Sequence, residues 1–231
     1  MALHVWPRDL EGLSRSHQLI LSFDCAHKSL GVTLLAVDHC WFALSSTLSS
    51  TLSPPPQPPP PKQLPSQLPP GFILLEVKVV DLLPGLKLGQ VSALDRARAL
   101  KQALGRYSSL PPSTIVLVEE QPPKNNKSTT VQDQLLLFFC DWLVKLVQPM
   151  QKNKVHFGLP LDLVKLSHGS NYSANKAHSR ANFELFARAN SLDISHIPTA
   201  NLDDAADSFM QAVAWLHPQG DWFAAPQPKQ E

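Results

Sequence analysis

Paired metal-binding cysteines are missing from this chain: Cys25, Cys40 and Cys140 stand far apart, with no Cys-x-x-Cys spacing. That excludes a structural zinc site and a disulfide framework, and it fits a reducing compartment. The histidines include no His-x-x-x-His pair of the kind that seats zinc, so His27 and the others read as surface or core residues. No apolar run is long enough to span a membrane, because charge or proline breaks each one. The opening residues, Met-Ala-Leu-His-Val-Trp-Pro-Arg-Asp-Leu, form neither a secretory signal nor an arginine-rich transit peptide, so an intracellular location is expected. A basic surplus is lacking as well: Lys+Arg 20 against Asp+Glu 19 gives a formal net charge of +1. Overall charge therefore does not decide for or against a nucleic-acid partner.

Proline is plentiful, at 22 residues, and much of it is concentrated in one place. Segment 45–70 begins with Ser/Thr repeats and then runs through Pro54-Pro55-Pro56-Gln57-Pro58-Pro59-Pro60-Pro61. Proline fixes φ and removes backbone donors, so this segment is expected to be a disordered, polyproline-like insertion. A tolerated loop insertion is the simpler reading; a ligand for a proline-binding domain, over 54–70, is the alternative. The expected organisation is an N-terminal extension over 1–17, one domain over 18–217 that carries the insertion, and a polar tail over 218–231.

Within that domain, 18–23 and 31–37 read as a hairpin, and 72–81 as a third strand. A basic, alanine-rich helix is expected over 92–107, N-capped by Ser92. A strand follows at 114–118, then a long apolar helix over 129–147, a short strand at 155–157 and a helix over 175–189. A last helix, capped by Asn201 or Asp203, runs to about 216. This order predicts an α/β layered domain with a mixed sheet.

The chemistry is concentrated in acids from three separate segments. Asp24 ends the apolar run Leu-Ile-Leu-Ser-Phe-Asp, and Glu119 or Glu120 ends Ile-Val-Leu-Val-Glu-Glu. Asp204 and Asp207 lie three residues apart on one side of the last helix. Carboxylates gathered at a sheet end repel one another and lose solvation unless a cation lies between them. Their hard oxygens suit Mg²⁺ or Mn²⁺, and two such ions are the common machinery of phosphodiester hydrolysis. Side chains alternate along a strand, so only one of Glu119 and Glu120 can face Asp24.

These residues resemble the RNase H-like superfamily, and more narrowly the RuvC-type Holliday junction resolvases of the poxvirus, large-DNA-virus and mitochondrial branch. The resemblance rests on Phe23-Asp24-Cys25-Ala26-His27-Lys28-Ser29-Leu30-Gly31, Val118-Glu119-Glu120-Gln121-Pro122, Asn126-Lys127 and Asp203-Asp204-Ala205-Ala206-Asp207-Ser208. The proline-rich insertion and the Cys-Ala-His that follows Asp24 depart from the pattern. The bacterial spacing, with Glu directly before Gln, would select Glu120; the viral and mitochondrial spacing selects Glu119.

The resemblance implies an RNase H-like fold, with a mixed central sheet flanked by helices. It also implies a structure-selective endonuclease that cuts four-way DNA junctions in recombination or replication. Two Mg²⁺ ions would be held by Asp24, Glu119, Asp204 and Asp207, one activating the attacking water and the other stabilising the leaving 3′ oxygen. Lys28, Lys124, Asn126, Lys127, Lys165, Lys176 and Arg180 are the candidate DNA contacts. The apolar helix after the Glu strand would help build a homodimer. A viral source would imply the replication compartment or cytoplasm; otherwise the nucleus and the mitochondrion stand equally open. Two readings compete: another RNase H-like nuclease acting on RNA/DNA hybrids or flaps, and a non-catalytic nucleic-acid-binding protein on this fold.

Overall fold

A computed structural model of the chain describes residues 10–26, 28–40, 63–64, 72–83, 85, 92–122, 126–149, 156–157 and 172–216. After a short helix α1 (Leu10–Ser14), strands β1 (His17–Cys25) and β2 (Ser29–Asp38) form the expected hairpin. β3 (Phe72–Asp81) pairs antiparallel with β2, while β4 (Ile115–Glu119) and β5 (Leu143–Val147) add parallel strands on the other side of β1. The sheet order is β3-β2-β1-β4-β5, with β2 alone running against the rest. This is the mixed α/β sheet flanked by helices that the element order predicts. Among the described residues no helix is long and apolar enough to cross a membrane.

Each face of the sheet has its own apolar layer, because β1 and β4 are buried on both sides and alternate between them. Leu19, Leu21, Phe23, Val116 and Val118 face α2 (Ala93–Leu104) and α3 (Asn126–Phe138), where Leu100, Leu104, Val131, Leu135 and Phe139 meet them. Ile20, Leu35, Val37, Ile115 and Leu117 face α5 (Leu202–Leu216), and α4 (Tyr172–Ala189) packs on α5. α5 is therefore enclosed nearly all round, and Ala205, Ala206, Ala212 and Ala214 let it lie close to both neighbours.

Ser92 caps α2 as expected, its side chain accepting from the Asp95 backbone N–H. α2 passes into a 3-10 turn (Gly105–Ser109) that carries Tyr107 under the sheet.

Three expectations need correction. The apolar stretch read as one helix over 129–147 is helix α3 followed by strand β5. A turn in which Trp142 N donates to Phe139 O (2.9 Å) separates them. Leu-Val-Lys-Leu-Val is too short a run for periodicity to tell helix from strand, and the exposed edge of β4 decides it. The pair His156–Phe157 is extended as expected, but it lies outside the main sheet and pairs parallel with Gln63–Leu64. Those are the two described residues of 45–70; the rest of that segment, the 218–231 tail and most of the N-terminal extension lie outside the described residues. Finally, Asp203 does not cap α5. It is the second residue of that helix, and Asn201 directly precedes the first.

On the α2 side, Glu76 of β3 is buried and takes three partners: Tyr107 Oη donates to it at 2.8 Å, and Arg106 and Lys78 pair with it at 3.0 and 3.1 Å. Burial, then the Glu76 charge, raises the Tyr107 phenol well above its usual range, so it stays a donor. Tyr107→Phe is expected to destabilise the fold by about 1–3 kcal/mol, the cost of a lost bond to a buried carboxylate. Chemical denaturation of the variant beside the parent measures it, and an unchanged midpoint would contradict it.

Candidate active site

β1 and β4 run in parallel with Phe23 opposite Val118, so the next rung sets Asp24 beside Glu119 at the C-terminal edge of the sheet. Alternation places both on the α5 face, the side of Ile20 and Leu117. Glu120 falls on the other parity and its carboxylate accepts a hydrogen bond from Gln148 Nε2. The geometry thus separates two adjacent glutamates that a sequence pattern leaves equivalent. Cys25 records the same neighbourhood: burial first, then Asp24 and Glu119, push its thiol well above the usual value. A thiol kept neutral in this way is neither a nucleophile nor a ready metal ligand.

The third segment reaches the first two through a backbone contact. Gly31 of β2 is the hairpin partner of Asp24. A Cβ built on Gly31 would lie 2.1 Å from the backbone oxygen of Asp204 and 3.3 Å from Asp24 Cβ. Only glycine lets the first turn of α5 sit on the hairpin at this point. Deeper in, Thr33 Oγ1 and Ser208 Oγ are 2.8 Å apart, and Gln211 Nε2 donates to Phe23 O at 3.3 Å. These polar ties hold the helix in register on β1 and β2.

Asp24, Glu119 and Asp207 are 5%, 7% and 3% exposed, and Asp204 is part-buried. Lys176 of α4 enters among them. Its Nζ donates to Asp204 Oδ1 at 3.0 Å and lies 3.8 Å from Asp207 Oδ2. Burial works against the ammonium charge. The carboxylates of Asp207, Asp204 and Asp24, with the Asp204 hydrogen bond, more than restore it and raise its pKa above the usual lysine value. Asp204 Oδ2 accepts from Ser29 Oγ at 2.5 Å. At the other end of the group, Gln121 Nε2 donates to Glu119 Oε2 at 2.7 Å.

The donor set is all hard oxygen, which suits Mg²⁺ or Mn²⁺, and a cationic group already sits beside Asp204 and Asp207. Among the described residues no three of His, Cys, Asp and Glu close up into a group that could hold a metal. The fit to a divalent ion is therefore one of chemistry and neighbourhood, and the side chains would have to draw together around it.

The basic candidates divide. Lys176 points into the acids. Arg180, one turn further along α4, pairs with Glu184 at 3.0 Å. Lys28 is exposed in the β1–β2 turn, at the same sheet end as Asp24. Asn126 and Lys127 open α3 instead of lying in the expected loop, and Lys124 and Lys165 fall outside the described residues. Sequence reasoning assigned no role to Ser29, Gly31 or Gln132. Ser29 and Gly31 lie inside a quoted motif, but only the approach of α5 gives them a function.

Asp24, Glu119, Asp204 and Asp207 thus lie at one end of a mixed α/β sheet, with hard-oxygen donors only. Similar solved structures include the Fowlpox virus resolvase in complex with substrate Holliday junction DNA, at 17% identity over 87% of this chain and 97% of that one, with a TM-score of 0.46. RuvC of Thermus thermophilus is 18% identical over 87% and 96% of the two chains, with a TM-score of 0.45. No family model and no curated protein matches the chain.

Gly31→Ala should force α5 away from the hairpin, since the atom it meets is backbone and cannot rotate aside. The expected loss is about 1–3 kcal/mol, as for overpacked sites, read as a lower thermal midpoint. A midpoint equal to that of the parent protein would show that the contact is looser than described.

Proposed function

We propose that this chain is a divalent-metal-dependent endonuclease that cuts four-way DNA junctions. The observation that carries the hydrolytic reading is geometric: α5, whose Asp204 and Asp207 meet the Lys176 ammonium, packs its Asp204 backbone against Gly31 beside Asp24, with Glu119 on the next rung. Carboxylates drawn out of water towards one sheet edge are offset by cations placed among them. The junction as substrate rests on the resolvase-like motifs around Asp24, Glu119-Glu120-Gln121-Pro122 and Asp203–Ser208 in the sequence.

In this reading Asp24, Glu119, Asp204 and Asp207 hold the ions, two per site, as Mg²⁺ or Mn²⁺. When bound, such ions lower the pKa of an attacking water and offset charge on the scissile phosphate. The chain itself does the positioning. The β1 and β4 ends fix Asp24 and Glu119 side by side, α5 brings in its two aspartates, and Ser29 sets the plane of the Asp204 carboxylate. Lys176 balances charge while the acids stand without metal and lies within reach of a backbone phosphate. Lys28, Asn126, Lys127 and Arg180 are proposed contacts to the DNA backbone, which position the substrate without reading sequence. Water is the nucleophile, so no covalent enzyme intermediate is needed.

A four-way junction offers two equivalent strands, and a two-fold homodimer would present one site to each. Leu137, Leu143 and Leu146, 75%, 51% and 48% exposed at the α3 end and on edge strand β5, are the surface proposed to join two copies. Light scattering at micromolar protein is expected to give a dimer that makes paired nicks; a monomer nicking one strand per encounter would remove this part of the proposal.

The central test is cleavage of labelled four-way junction, linear duplex, flap and RNA/DNA hybrid, with Mg²⁺ or with EDTA. Junction is expected to be cut preferentially, and only with metal. Asp24→Asn, Glu119→Gln, Asp204→Asn and Asp207→Asn are each expected to lower cleavage by at least about 100-fold, the upper end of what losing an outer partner of a metal ligand costs, while junction binding persists. Normal cleavage by Asp24→Asn or Asp207→Asn would overturn the metal assignment. Preference for hybrid over junction would move the protein to another RNase H-like activity.

A further inference from the structure

We propose that Gln132 and Gln121 are positioning residues that fix the Glu119 carboxylate for metal binding, an inference that rests on the metal-dependent reading of the acid cluster. Both glutamines are buried. Gln121 Nε2 donates to Glu119 Oε2 at 2.7 Å, and the backbone N–H of Gln121 donates to Gln132 Oε1, also at 2.7 Å. The line of support therefore runs from α3, through the Gln132 side chain, to the Gln121 backbone and on to Glu119.

The reason for two links lies in how β4 ends. Glu120 N still donates to Val147 O of β5 at 2.9 Å. One residue later the chain leaves the ladder, and the Gln121 N–H is buried with a side-chain oxygen as its acceptor in place of a strand carbonyl. Without that acceptor, the peptide carrying Gln121 would have to turn towards water, taking the Nε2 donor away from Glu119. Gln132 is otherwise out of place. It is buried beside Val131 on a helix whose Leu135 and Phe139 pack into the apolar layer under the sheet. A polar side chain kept in such a place needs a partner, and here the partner leads to a proposed metal ligand. Hydrogen bonds to ligating carboxylates set their orientation, and loss of such outer partners typically weakens metal binding by about 10–100-fold.

The test is calorimetric titration of the full chain with Mn²⁺, without DNA, beside thermal melts of each variant. Gln121→Met and Gln132→Met are expected to weaken Mn²⁺ binding by about 10-fold or more. Gln132→Glu keeps an oxygen facing the Gln121 N–H and is expected to retain at least parental affinity, a rescue that general loosening of the helix would not produce. Gln121→Met leaves the backbone link to α3 in place, so it carries the test even if Gln132→Met fails to fold. Parental Mn²⁺ affinity in Gln121→Met, or weakening in Gln132→Glu equal to that in Gln132→Met, would overturn the positioning role. The site reading is tested in parallel by Asp24→Asn. If that change weakens binding and the Gln121 change does not, only the positioning role falls. If the parent protein binds no Mn²⁺ at all, both fall.

Discussion

Everything at this sheet edge depends on how closely one helix start approaches one hairpin. The space a side chain on Gly31 would fill belongs to the Asp204 backbone, and Asp24 Cβ borders the same spot. A glycine there lets β1, β2 and the start of α5, far apart in the chain, share a single small volume. Thr33 with Ser208, and Gln211 with the Phe23 carbonyl, repeat the attachment deeper in the layer. The helix is then too tightly held to drift, and its two aspartates keep their place relative to β1.

Such closeness creates an electrostatic problem that the chain solves from a third element. Asp24 and Asp207 are buried and Asp204 is part-buried, so their negative charges face one another with little solvent to screen them. Lys176 on α4 answers this, and the raised pKa of its ammonium shows that attraction outweighs burial. Helix α4 therefore does more than cover α5: its apolar Phe183 and Phe186 pack on Phe209, while Lys176, about two turns before Phe183, supplies the balancing charge. Packing and charge compensation are two faces of one helix contact.

The opposite face of the sheet handles a buried acid in another way. Glu76 is surrounded by a phenol and two cations, each within hydrogen-bonding or ion-pair distance. Its charge is fully answered within the fold, as befits a structural group. At the α5 edge the Lys176 ammonium is shared between Asp204 and Asp207 instead of being matched to one acid.

The sequence by itself determined the elements whose signals are local. Alternating apolar runs specified β1, β2, β3 and β4, Ser92 specified the start of α2, and the acids were evident from their places at strand ends and on one helix turn. It could not separate Glu119 from Glu120, because both end the same run; register against β1 and the parity of the sheet decide between them. Nor could it split 129–147 into helix and strand, since Leu143–Val147 becomes a strand only by pairing with β4. The contacts of Gly31, Ser29 and Gln132, and the pairing of Lys176 with acids where the sequence had it as a candidate DNA contact, were likewise left to tertiary structure. Each depends on a partner far away in the chain, and such a contact leaves no periodicity or spacing in the local sequence.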